Sequence, residues 1–210
     1  MKRFSTESGR LEAFSDGVIA VIITIMVLEL HAPSSTRLSA LLDEWPTFAA
    51  YALSFIYVGI YWNNHHHMLR ATRGIDGRAM WTNLYLLFWL SLVPFATAWL
   101  GRNPQATGPT AAYAVVLLMC AIAYTLLQQA LLAVNGRDAP FARAIKTDVK
   151  GYGSIVLYVL ALIMAFFVPL VSDICFVAVA IVWFVPDRRF EPLIAVSDEP
   201  DGEPSARRAP

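Results

Sequence analysis

Near its start the chain places Arg10, Glu12, Phe14, Ser15 and Asp16 directly ahead of an apolar run. A guanidinium, two carboxylates, a hydroxyl and an aromatic ring are thus gathered within seven residues. Arg10 and Phe14 are four apart and share a face if the segment is helical, with Asp16 about a turn and a half past Arg10. A carboxylate costs about 2.5–3.5 kcal/mol at the centre of a bilayer and less at its edge, so it calls for a partner or for water. The plainer reading is an acid favoured by the positive end of a helix. Farther along, Gly17, Val21, Thr24, Ile25 and Leu28 recur at helical spacing, with Thr24 supplying a hydroxyl in the middle of the stripe. On spacing alone, such a face suits packing against another helix better than lining a passage. Glu29 at the far end is either a solvated acid or one member of a cation-attracting ring.

A second polar group is the run His65, His66, His67. Consecutive helical residues point about 100° apart, so the three imidazoles do not converge on a metal as an i, i+4 pair does. Interfacial hydrogen bonding to Asp16 or Arg10 is the expectation. Tyr61, Trp62, Trp81 and Tyr85 suit the aromatic belt of a membrane interface. Cys120 and Cys175 fall in apolar blocks and read as small buried hydrophobes. Paired-Cys zinc spacing, a Gly-rich phosphate loop and a GxSxG elbow are all missing from the sequence, which leaves no enzyme signature.

The elements that must carry these residues are membrane helices. The chain is 57% hydrophobic and only 15% charged, with a mean hydropathy of +0.53, against about 25% charged in soluble domains. Its apolar blocks approach the ~20 residues of a transmembrane helix and lack the short alternation of barrel strands. The expected fold is all-α and polytopic. Spans are expected at 11–30, 45–68, 79–100, 110–134, 152–168 and 174–186, forming one domain over 1–186. Residues 187–210, rich in charge and Pro, are expected to be a disordered tail. Lys2 and Arg3 ahead of the first span imitate a signal peptide, but Glu7, Glu12 and Asp16 do not suit such a leader, and the span is expected to be retained. Six spans put both termini on one side. Every Lys and Arg except Arg37 and Arg102 then falls on that side, which makes it cytoplasmic.

RLEAFSDG followed by an apolar helix resembles the RxxxFSD signature of the prokaryotic relatives of transmembrane protein 175, the lysosomal potassium channel. The resemblance continues through SFIYVGIYWNNHHH and NLYLLFWLSLVPFATAWLG, covering about half the chain strongly. It implies a homotetramer whose first helices surround a central pore without a TVGYG-type filter. Carried over from the signature Asp, the pore-lining positions are Val21, Thr24, Ile25 and Leu28, the stripe already found by periodicity. Val21 stands where the family often has Ile or Leu, so the narrowest ring is expected to be wider there or to lie at Ile25 or Leu28.

The implied function is a modestly potassium-selective cation channel with a hydrophobic gate. Its permeant K⁺ would pass near Thr24, Glu29 would stand at the mouth, and no cofactor is needed. Arg10, Phe14, Ser15, Asp16, Trp62 and His65–His67 would form a structural network. The expected partners are further copies of the chain, lipid and monovalent cations, with no nucleic acid, in a bacterial inner membrane. A proton-coupled carrier or a proton-permeable channel, with Asp16 and the histidines titrating, is the competing reading. The inverted repeats and broken helices of many carriers are not evident.

Overall fold

The computed structural model describes residues 2–72, 74–136 and 149–184, with the side chains of 2–7 and 149 left aside. Among these residues every regular element is helical. Helix α1 spans Lys2–Ile25 and tightens into a 3₁₀ turn at Met26–Glu29. It starts ahead of the expected position 11 because no Pro interrupts the polar leader, and Ser8 extends the buried stripe of Leu11, Ser15, Ile19, Ile22 and Met26 by one turn. The helix stops short of 30: after the β-branched run Ile22–Ile25 the chain tightens, and Leu30 is extended (φ −80°, ψ 110°).

The short α2 (Ala40–Asp43) leads into α3 (Trp45–Arg70), with Pro46 in the first turn, where its missing N–H costs nothing. Asp76 caps α4 (Gly77–Ser91) by accepting from the Ala79 N–H at 2.7 Å. The expected span at 79–100 is jointed. Helix α4 ends at Ser91 and α5 (Val93–Arg102) begins around Pro94, which cannot donate into the preceding turn and breaks the ladder at Leu92. Helix α6 (Thr107–Asn135) ends at Gly136, whose φ of +85° favours glycine. Helices α7 (Val149–Met164) and α8 (Pro169–Phe184) form a hairpin. Ser172 Oγ donates to the Ala161 carbonyl at 2.7 Å, closing the hairpin. Helix α8 begins at Pro169, ahead of the expected 174, because proline suits the first turn of a helix, whereas the far end of the expected last span and the tail at 187–210 lie outside the described residues.

Helix α6 is the centre of the packing: α4, α5 and α7 lie against it. Its Tyr113, Leu117, Cys120, Leu127 and Leu131 are fully buried. Helix α1 leans on α3 and α4 at one flank, while the α7–α8 hairpin covers the other. Two hydroxyl contacts tie the middle together, Ser54 with Tyr113 at 2.8 Å and Ser54 with Thr97 at 2.7 Å. They keep buried polar atoms satisfied where water cannot reach. At the other end of the bundle α3 and α5 nearly touch. A Cβ on Gly101 would lie 2.9 Å from Thr47 Cα, so glycine is required for that close approach.

The stretches Ser8–Glu29, Gly77–Arg102 and Thr107–Asn135 are each long and apolar enough to cross a membrane. Helix α3 is as long as these but is diluted by tyrosines, Trp62 and the polar run 63–67.

Candidate pore helix and its anchoring network

Helix α1 has two unlike faces. Leu11, Ser15, Ile19, Ile22 and Met26 are buried against the rest of the subunit. Gly17, Val21, Thr24, Ile25 and Leu28 face outward, with Val21 57% and Leu28 73% exposed. Five positions predicted from helical spacing therefore share one uncovered face. The 3₁₀ turn carries Leu28, so the stripe tightens toward that end.

The Thr24 hydroxyl sits 2.9 Å from the carbonyls of both Ala20 and Val21. Its single proton is held by the backbone, which leaves oxygen lone pairs turned toward the open face. Such a hydroxyl is an acceptor rather than a donor, the polarity a cation needs.

The signature residues divide into two groups. Ser15 and Asp16 join α3 and α4. The Ser15 Oγ donates to the Leu11 carbonyl at 2.8 Å and accepts from Asn83 Nδ2 at 2.9 Å. Asn83 Oδ1 lies 2.7 Å from His65 Nε2, and all three residues are buried. With Asn83 accepting through Oδ1, the His65 Nε2 carries the proton. One layer outward, Trp62 Nε1 donates to Asp16 Oδ1 at 3.0 Å, and His66 Nδ1 stands 2.9 Å from Glu12 Oε1. The His66 ring stacks on Trp62 and meets His67 edge-on. Arg10 and Phe14, by contrast, are exposed and line a groove with Ile75, Asp76, Met80 and Leu84. The histidine run thus meets α1 directly through His66, on Glu12, and indirectly through His65, whose partner Asn83 holds Ser15.

Sequence reasoning missed the partners rather than the region. Asn83 is the bridge between Ser15 and His65, and nothing in its spacing marks it as such. Glu12 did carry a signal: it precedes Asp16 by four residues, so both carboxylates point the same way. At the other end Glu29 is not a free acid. Arg102 Nη2 pairs with its Oε2 at 3.1 Å and lies 3.4 Å from His31 Nδ1.

Comparison with known proteins locates this architecture. The family described as endosomal/lysosomal potassium channel TMEM175 matches residues 10–94, which hold α1 from Arg10 onward, α3, α4 and the network between them. A potassium channel from Chryseobacterium sp. (strain P1-3) is 48% identical over 183 residues, covering 87% of this chain and 95% of that protein. The chain belongs to the TMEM175 family. The crystal structure of a lysosomal potassium-selective channel TMEM175 homolog from Chamaesiphon minutus superposes with a TM-score of 0.76 at 32% identity, over 87% of this chain and 98% of that one. The human TMEM175, named an endosomal/lysosomal proton channel, is 35% identical over 121 residues, which make up half of this chain but only 21% of the human protein. TMEM175 is a family of ion channels, not enzymes. Together with the apolar helices this makes the chain a multi-pass membrane protein.

Proposed function

We propose that this chain is a potassium-permeable cation channel, a homotetramer in which four copies of α1 surround the pore. The observation that carries the reading is the uncovered face Gly17, Val21, Thr24, Ile25 and Leu28 on a helix whose other face is buried. The names of its bacterial relatives, potassium channels from Chryseobacterium and Streptomyces collinus, supply the ion.

In this reading Val21, Ile25 and Leu28 form stacked apolar rings. A narrow greasy constriction expels water and blocks ions until the helices tilt or rotate. Four Thr24 oxygens then replace part of a cation's hydration shell, since the backbone carbonyls at that depth are held within the helix. Hydroxyls are weaker ligands than a cage of carbonyls, so the K⁺ preference is modest. The layer of Ser15, Asn83 and His65 fixes the cytoplasmic end of α1. Arg10 and Phe14, uncovered in the single subunit, meet the neighbouring copy. The subunit has six spans in a bacterial inner membrane, and the excess of Lys and Arg on the side of the termini supports a cytoplasmic placement for both.

Reconstitution in liposomes tests the proposal. Potassium efflux should exceed the roughly 10³ per second of a typical turnover cycle by orders of magnitude, and chemical cross-linking should stop at four subunits. Saturable, substrate-coupled flux would mean a carrier instead. The name of the human relative favours one second reading, proton permeation through the same helix. A pH-sensitive dye inside potassium-free liposomes separates the two ions.

A further inference from the structure

We propose that Glu12, Asp16 and His66 form a binding site for a divalent transition-metal ion of the zinc type, bridging α1 and α3. The site does not depend on how ions cross the membrane. Glu12 and Asp16 are one helical turn apart on α1, and His66 reaches them from α3. One ligand atom from each residue lies within 4.8 Å of the other two, and the closest pair, His66 Nδ1 and Glu12 Oε1, is 2.9 Å apart. Around zinc, bonds of about 2.0–2.2 Å put tetrahedral ligand atoms roughly 3.3–3.6 Å from one another. The separations here bracket that value, so small side-chain rotations close the set.

Three features beyond proximity point to a cation. Two carboxylates one turn apart repel, and Arg10, two residues before Glu12 on the same helix, lines the groove toward α4 instead. Trp62 Nε1 holds Asp16 Oδ1 at 3.0 Å and stacks on His66, the kind of outer hydrogen bond that orients a metal-binding carboxylate. All three ligands are half-buried, leaving a fourth position open to water. A nitrogen with two carboxylate oxygens suits zinc and its first-row neighbours, whereas calcium wants six or more oxygens. A bound ion would replace the Glu12–His66 contact with a firmer brace between the two helices.

The purified full-length protein in detergent, titrated with zinc chloride by calorimetry and by thermal unfolding, tests the site. One saturable zinc per chain is expected, with a melting temperature that climbs with the logarithm of zinc concentration and no such response to calcium. Glu12→Gln and His66→Gln should each weaken binding about tenfold or more, and Trp62→Phe should do so by less. His31→Gln should bind as the parent does. Glu12→His keeps a ligand and should retain zinc even if Glu12→Gln fails to fold. The proposal is overturned if the parent shows no saturable micromolar binding, if Glu12→Gln and His66→Gln bind like the parent, or if a folded Glu12→His does not bind.

Discussion

The most apolar stretches of α1 and α6 match in hydropathy, yet their surroundings differ: 28% of the α1 stretch is buried within the subunit, against 56% for α6. Hydropathy alone cannot separate them. What separates them is the distribution around the helix. Helix α6 is packed by α4, α5 and α7 and buries residues on most sides, whereas α1 spends its buried face on α3 and α4 and leaves a whole stripe uncovered. The lesson is that an apolar membrane helix can be apolar for two reasons. One is to fill a core, and the other is to present greasy side chains to something outside the subunit.

The largest effects should therefore fall in opposite categories for the two helices. Leu117→Ala or Leu127→Ala in α6 removes a fully buried side chain and should cost about 2–5 kcal/mol. Denaturant unfolding in micelles would show it, with flux per folded channel no higher. Leu28→Ala on the exposed stripe should leave unfolding within about 0.5 kcal/mol of the parent. It should instead raise resting potassium flux about tenfold, the equivalent of lowering a barrier by roughly 1.4 kcal/mol. If Leu28→Ala destabilised the fold as Leu117→Ala does and left the flux unchanged, the two helices would be alike and α1 would be an ordinary core helix.

A second contrast lies within α1 itself, between the signature residues that are covered and those that are not. Asn83→Leu strands Ser15 and His65 in a buried layer and should cost about 1–3 kcal/mol of subunit stability. Arg10→Ala touches an exposed residue and should leave subunit unfolding unchanged, yet lower the yield of tetramer on a sizing column. Equal losses of stability and assembly in both variants would erase the distinction.

How far these features could be read without coordinates follows the same division. The stripe Val21, Thr24, Ile25, Leu28 was legible because a helix repeats every 3.6 residues, so spacing alone puts side chains on one face. The helical class was legible from apolar block length. Contacts between helices were not. No period in the sequence says that Asn83 sits between Ser15 and His65, or that Arg102 reaches back to Glu29 across more than seventy residues. The start of α1 was not legible either, for a local reason. The polar residues ahead of position 11 carry no apolar signal, but backbone hydrogen bonding continues through them when no Pro or strong cap intervenes.

The smallest and most discriminating effect belongs to Thr24. Thr24→Val is nearly isosteric, so it keeps the width of the stripe and changes only the hydroxyl. In a core helix that change would be nearly silent, because the hydroxyl merely returns its proton to carbonyls of its own helix. On a pore face the same oxygen offers lone pairs to a passing cation. Thr24→Val should then lower the potassium-to-sodium permeability ratio a few-fold with no change in unfolding, read from reversal potentials under bi-ionic conditions, while Thr24→Ser should keep the ratio. A ratio that Val and Ser variants leave equally untouched would take the hydroxyl out of the permeation path and leave the apolar rings as the only elements acting on the ion.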